Sequence, residues 1–338
     1  MLEKPEIADQ QIIACLQDHY GLLISHIAFL PLGVDPNAAV YRVVTDAQMA
    51  YFLKLRRGAF DQAAVALPKY FSDQGLAQII APLASLSGQL WGKLDDFNGF
   101  LYPFVVGRDG YEAGLSDYHW ADLGAAMRRI HSTRLPSTIL QYIRRETYSA
   151  QWRERVKVFL ERVEIDSWQE PIAQKTADLL SAKRSTISDL VLRSARLAQA
   201  LQLQTPELVV CHTDLHAGNI LIDHSGALFI VDWDSPLLAP KERDLMFIGS
   251  GLMGNRRSLQ EEEALFYPAY GETSINKIAL AYYRYERIIE DIAVFCEQLL
   301  LTDAGGADRE SAFHYLASNF LPNKTIEIAY RSDTTDSI

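Results

Sequence analysis

The sequence predicts an α+β chain of two lobes: a small lobe built on an antiparallel sheet and a larger, mostly helical one. Three observations carry this. The first hundred residues alternate short apolar runs with turn formers, the pattern of half-buried strands. From about residue 116 helical periodicity dominates, broken once by a strand–loop–strand island at 208–234. The length of 338 residues, with 49% hydrophobic and 22% charged residues, is that of a globular chain of about two domains.

Taken in order, residues 6–20 carry Ile7, Ile12, Ile13, Leu16 and Tyr20, a helical stripe stopped by Gly21. Residues 22–31, 38–45 and 49–55 read as strands, separated by the turn formers of 32–37 and by Thr45-Asp46-Ala47-Gln48. Residues 59–74 read as a helix weakened by Pro68. Strands at 89–95 and 99–105 are joined by Asp96-Phe97-Asn98-Gly99, a hairpin signal. Residues 105–110, with Gly107 and Gly110, read as a connector. Residues 116–133 are an amphipathic helix opened by Ser116 or Asp117, and further helices cover 146–163, 171–203 and about 260–320. The last dozen residues, ending Asp333-Thr334-Thr335-Asp336-Ser337-Ile338, are polar and are expected to fray.

Lys+Arg number 32 against 43 Asp+Glu, a net charge of −11. This disfavours nucleic acid and anionic membranes as partners and accommodates a cationic small molecule. Cys15, Cys211 and Cys296 are widely spaced and odd in number, so neither a zinc framework nor a disulfide scaffold is expected, and a reducing cytoplasm is. The first residues lack a basic cap followed by an apolar core, and apolar runs fall short of the ~18 residues that span a bilayer. A monomer is expected.

The chemistry concentrates in the island. The run Leu208–Cys211 leads into a polar loop, His212-Thr213-Asp214-Leu215-His216-Ala217-Gly218-Asn219, and Ile220–Ile222 leads out. His224-Ser225-Gly226 turns the chain into a second short strand, which ends at Asp232-Trp233-Asp234. Two strand ends thus deliver His212, Asp214, Asn219, Asp232 and Asp234. Phosphoryl transfer from a nucleotide asks for a carboxylate to accept the acceptor's proton, oxygen ligands for Mg²⁺, and one cation on the phosphates. Asp214, Asn219 five residues on, and the separate Asp232 supply base, ligand and ligand. Oxygen donors suit Mg²⁺ better than zinc. Lys54, alone in the apolar strand Ala50–Leu55, is the expected cation, because burying it without an anionic partner would be costly. Gly33–Asn37 lies where a phosphate-covering turn would sit.

With these residues in place the chain resembles the aminoglycoside phosphotransferase family, which shares the two-lobed protein-kinase-like fold with choline and methylthioribose kinases. The matching residues are Gly33, Asn37 and Tyr41; Lys54; Leu123-Gly124 and Ile130-His131; Cys211–Asn219; Val231–Asp234; and Arg243-Asp244-Leu245, in order over about residues 25–250. The resemblance implies a nucleotide-binding lobe at 1–102, a hinge at 103–107 and a catalytic and substrate-binding lobe at 108–338. It implies Asp214 as general base, Asn219 and Asp232 as Mg²⁺ ligands, and Lys54 on the ATP phosphates. Gly33 and Asn37 would flank the phosphate loop, and Pro103 and Val105 would meet adenine. His212 and Asp244 would brace the catalytic loop, and Asp234 would touch the acceptor or the loop. The acceptor it implies is a hydroxyl of a small cationic antibiotic, an aminocyclitol or aminoglycoside with spectinomycin foremost; the alternative is a metabolite such as choline, homoserine or methylthioribose.

One feature departs from the pattern. Kinase-like folds pair the strand lysine with a Glu on the following helix, yet 59–74 contains no Glu and only Asp61 and Asp73 as acids. Asp73 is the nearer candidate, with an acid elsewhere or the nucleotide as alternatives. A nucleotide-binding module without catalysis, and a zinc hydrolase on His212, Asp214 and His216, are the competing classes. Most of the aromatics at 266–285 are expected in the core, with some of them enclosing a protonated amine.

Overall fold

The computed structural model describes residues 4–33, 37–254, 256–302 and 306–333. α1 (Asp9–Tyr20) precedes β1 (Ile24–Leu30), β2 (Ala38–Thr45) and β3 (Ala50–Arg57). Next come α2 (Ala63–Asp73), β4 (Gly92–Leu94), β5 (Phe97–Pro103), β6 (Gly107–Asp109), α3 (Gly110–Ala113), α4 (Asp117–Ser132), α5 (Ser137–Leu140) and β7 (Arg144–Arg145). α6 (Gln151–Ile165) and α7 (Pro171–Gln202) lead to β8 (Val209–Cys211), β9 (Ile220–Asp223), β10 (Leu228–Ile230) and β11 (Leu237–Ala239). The chain continues through α8 (Glu242–Leu245), α9 (Leu259–Tyr270), α10 (Lys277–Leu300), α11 (Gly306–Ser318) and α12 (Thr325–Ser332). It forms two compact units: Met1–Arg144 with Ala217–Pro236, and Arg145–His216 with Leu237–Ile338.

The first unit is built on an antiparallel sheet of order β1-β2-β3-β5-β4. Side chains alternate across a strand. On β3 this buries Leu53 and Leu55 in a core with Ile12 and Leu16 of α1 and Tyr41 and Val43 of β2. The same alternation puts Lys54 and Arg56 together on the opposite face. Lys54 lies between Val40 of β2 and Phe100 of β5. α2 starts at Ala63 and runs through the buried Pro68 as one helix, so the proline shortens it less than the sequence suggests.

Two sequence expectations are corrected here. The β4–β5 hairpin turns at Asp95-Asp96, with Asp95 at φ 50°, and Phe97, Asn98 and Gly99 already belong to β5. The small left-handed demand of a two-residue turn falls on an Asp, and Asn98 instead donates from its side chain to Gly58 O at 2.6 Å. Part of the expected connector is also structured: Gly107–Asp109 is β6, which pairs antiparallel with β9. A Cβ on Gly107 would lie 2.5 Å from Ile222 O, so this glycine serves close approach of two backbones.

In the second unit α10 is the central helix, packed on α6, α7, α11 and α12. Asn276 caps it by accepting from Ile278 N and Ala279 N, and its buried face runs from Ala279 through Tyr282, Glu286, Ile289 and Ala293 to Cys296. Glu170 caps α7, with Pro171 at its first turn. Buried Arg153 of α6 is ion-paired to Glu286 of α10, which also accepts from Ser194 Oγ of α7. β8 pairs antiparallel with β11, Cys211 opposite Leu237. The island at 208–234 therefore splits: β8 belongs to this unit's strands, while the β9–β10 hairpin pairs with β6 in the first unit. No helix among the described residues is long and apolar enough to cross a membrane.

Candidate active site

Lys54 is held by acids from the end of the β9–β10 hairpin. Its Nζ lies 2.8 Å from Asp232 Oδ1 and 2.7 Å from both Oδ1 and Oδ2 of Asp234. Arg56 Nη1 donates to Asp234 Oδ2 at 2.7 Å. Two cations and two carboxylates thus share the face of β3 that alternation turned away from the core. Burial by itself would lower the Lys54 pKa; Asp232 and then Asp234 outweigh it, and the ammonium is held charged above its ordinary range. Burial raises the Asp234 pKa, with Asp232 adding to it and Lys54 opposing. The two acids of 59–74 are engaged elsewhere, Asp73 with Lys69 and Asp61 with Arg144 at 3.2 Å, so the partner of Lys54 is an acid elsewhere.

Local structure explains why both acids face one way. Trp233 between them is 4% exposed, packs tilted against Phe71 of α2 with ring centres 5.7 Å apart, and donates its Nε1–H to Ile230 O at 3.1 Å. Asp232 takes φ 65°, a left-handed conformation costly for a non-glycine residue. The anchored tryptophan and the neighbouring bonds Ile230 N to Gln78 O and Val231 N to Asn219 O, at 2.8 and 3.0 Å, hold it. The last bond sets Asn219 beside the residue preceding Asp232. An amide oxygen and a carboxylate, without histidine or cysteine, make a donor set suited to a hard cation such as Mg²⁺. Asn219 is buried and Asp232 about half exposed.

The remaining sequence-chosen residues of this unit lie apart from that cluster in the chain. Gly33 has φ 82° and Asn37 O accepts from Arg57 N at 2.8 Å; the loop between them, 34–36, lies outside the described residues. Pro103 ends β5 opposite Tyr51, and Val105 sits in the short segment before β6.

The second unit holds the other set. Asp244 of α8, fully buried, accepts from His212 N at 2.9 Å and from Thr213 N at 2.7 Å. Thr213 is held at φ 78° by these bonds. His212 Nδ1 accepts from Asp214 N at 3.2 Å. Asp214 Oδ1 is ion-paired with Arg287 Nη1, and its Oδ2 lies 3.5 Å from His216 Nε2. Burial alone would raise the Asp214 pKa; Arg287, His216 and His212 together outweigh it, Arg287 first among them, and the carboxyl is held well below the usual range. The carboxylate is thereby held in its ionised form, the state a proton acceptor needs.

Sequence reasoning missed Arg56, Arg287 and Asp291. Arg56 carried a signal, since it sits two residues after Lys54 and strand alternation puts both on one face. Arg287 and Asp291 lie 73 or more residues after Asp214 and show only as charges on an aromatic-rich helix. Of the aromatics there, Phe266, Tyr270, Tyr282, Tyr283 and Tyr285 are buried.

Comparison with known proteins identifies the family of the chain. A family model described as the phosphotransferase enzyme family (APH) matches residues 28–273. A solved spectinomycin phosphotransferase, APH(9)-Ia, in complex with ADP and spectinomycin is 36% identical, with 97% of this chain and 99% of that chain covered and a TM-score of 0.89. The AMP-bound complex of the same enzyme gives 35% identity, the same coverage and a TM-score of 0.84. An amicoumacin kinase, hAmiN, at 17% identity, 96% and 94% coverage and a TM-score of 0.63, shares the fold. A comparison with curated protein sequences gives no match. On the family model and the whole-length likeness together, this chain belongs to the phosphotransferase enzyme family, as a kinase of the aminoglycoside phosphotransferase kind.

Proposed function

We propose that the chain transfers the γ-phosphoryl group of ATP to a hydroxyl of an aminocyclitol or aminoglycoside antibiotic, spectinomycin first among them. The observation that carries this reading is Asp214, an ionised carboxylate in a loop braced by His212 and Asp244, in a chain 36% identical along its length to a spectinomycin phosphotransferase. Asp214 accepts the proton of the acceptor hydroxyl as that oxygen bonds to the γ-phosphorus. The bond from the γ-phosphorus to the bridging oxygen breaks and ADP leaves. Lys54 grips the phosphates, exchanging a carboxylate contact for phosphate oxygens, and Arg56 keeps Asp234 paired while it does so. Asn219 and Asp232 are the residues that would hold Mg²⁺. When bound, the ion neutralises and aligns the phosphates. Gly33 and Asn37 flank the phosphate loop, Pro103 and Val105 offer backbone to adenine, and the lobes 1–102 and 108–338 meet at the hinge 103–107.

The net charge of −11 favours a cationic acceptor. We place the protein in the cytoplasm as a monomer; three free cysteines accord with a reducing compartment. The test is an acceptor panel with γ-labelled ATP, with and without Mg²⁺: spectinomycin, kanamycin, choline, homoserine and methylthioribose. Label on spectinomycin, dependent on Mg²⁺, is the expected result. Label on choline or another metabolite and on no antibiotic overturns the substrate class. Absence of both label transfer and nucleotide binding overturns the phosphotransfer reading.

A further inference from the structure

Arg287 is fixed from several sides before it meets Asp214. It rises from the middle of α10, with its guanidinium 5.8 Å from the centre of the Phe247 ring, and Phe247 is fully buried. Its Nε lies 3.1 Å from Asp291 Oδ1, one turn further along the same helix. Glu290, the other acid beside it, is engaged 3.8 Å away by Arg243 of α8, so Asp291 is the carboxylate that faces Arg287. The remaining contact, from Nη1, goes to Asp214 Oδ1. A helix side chain that lies over a buried ring and is ion-paired along its own helix is thus held from two sides besides the loop carboxylate.

We propose that Arg287 is a positioning residue for Asp214, holding Oδ1 so that Oδ2, which His216 Nε2 approaches to 3.5 Å, is turned to the acceptor hydroxyl. This rests on Asp214 being the base. The proton passes to the oxygen that Arg287 does not hold, and then to solvent after phosphoryl transfer. Arg287 also supplies the positive charge nearest this carboxylate. The other charged and titratable groups facing the pair are His212 and His216 from the loop, Arg243 from α8, and Glu290 and Asp291 from α10. Asp291 itself, raised by burial and held back by Arg287, is pushed up to about 6. Without Arg287, burial raises the Asp214 pKa against a weaker opposition, His216 and then His212 being the next groups that lower it.

The experiment reads Asp214 directly. The chain is labelled at the aspartate carboxyl carbon, the Asp214 signal is assigned by its loss in Asp214→Asn, and it is titrated in the unaltered chain and in Arg287→Gln and Arg287→Lys. Arg287→Gln should raise the Asp214 titration by more than one pH unit; Arg287→Lys, which keeps the charge and loses the planar fork, should leave it low. With spectinomycin as acceptor, the Lys variant should lose at least tenfold in kcat at unchanged KM for ATP. An Asp214 titration that does not move in a folded Gln variant overturns the proposal. Should the Gln variant fail to fold, the Lys variant decides: an unchanged kcat there overturns it equally. If Asp214→Asn remains active on spectinomycin, it is the base assignment that fails, a result separate from the titration.

Discussion

Lys54 on β3 and Asp234, 180 residues later in the chain, meet through both carboxylate oxygens at 2.7 Å. The lysine that a kinase-like sheet needs is thus held by the acid two residues beyond Asp232. A half-buried ammonium between two carboxylates is ready for an anion, because a phosphate can replace one of them without leaving the charge unpaired.

Lys54→Met should therefore weaken nucleotide binding and turnover together, by about 10²-fold in kcat/KM, the scale of removing one charge-stabilising group. It should also leave Asp232 and Asp234 facing each other, so that Asp234 holds its proton to still higher pH. Calorimetric titration with ADP and a turnover assay would show both; unaltered ADP affinity would count against the phosphate role.

Asp214→Asn should lower kcat by about 10²–10⁴-fold, the usual contribution of a general base. ADP affinity should stay near that of the unaltered chain. The same variant loses the ion pair to Arg287, so its unfolding midpoint should be measured alongside to separate chemistry from stability.

Asp244→Ala should destabilise the second unit by about 2–6 kcal/mol, since two buried backbone N–H groups, of His212 and Thr213, lose their acceptor at about 1–3 kcal/mol each. Asp244→Asn, which retains one good acceptor, should lose about half as much. Urea unfolding followed by circular dichroism gives the difference.

Glu262 provides a pH prediction. It is 1% exposed, accepts from Gly249 N at 3.0 Å, and has its pKa raised to about 7 by burial and by Glu263. The folded chain thus keeps this proton to higher pH than the unfolded chain, whose carboxyl titrates near 4.5. Between those values the folded state binds more protons, so this group makes stability fall as pH rises, by about 3 kcal/mol in all. Glu262→Gln should match the unaltered chain in urea at pH 4.5 and exceed it at pH 8. Equal midpoints at both pH values would show that the group is already ionised when folded.

Gly107→Ala should cost about 1–3 kcal/mol, the range of overpacking, because the added carbon meets Ile222 O and pushes β6 off β9. Hydrogen exchange at the β6–β9 pairs would report the opening. A neutral result would mean that β6 is free to shift as a connector would.

What the sequence by itself determined was local. Alternation in Ala50–Arg57 was enough to set Lys54 apart from Leu53 and Leu55; the loop from His212 to Asn219 and the acids flanking Trp233 were legible as adjacent polar residues at strand ends. Spacing alone misplaced the β4–β5 turn by a residue or more, since Asp95 and Asp96 are as capable of turning as Asn98 and Gly99. Only the tertiary structure decided which acids hold Lys54, that Arg287 meets Asp214, and that β8 and β9, eight residues apart, join different units. Periodicity records which face of an element is apolar. The identity of a charge's partner depends on how distant elements pack, and no short window of residues encodes that.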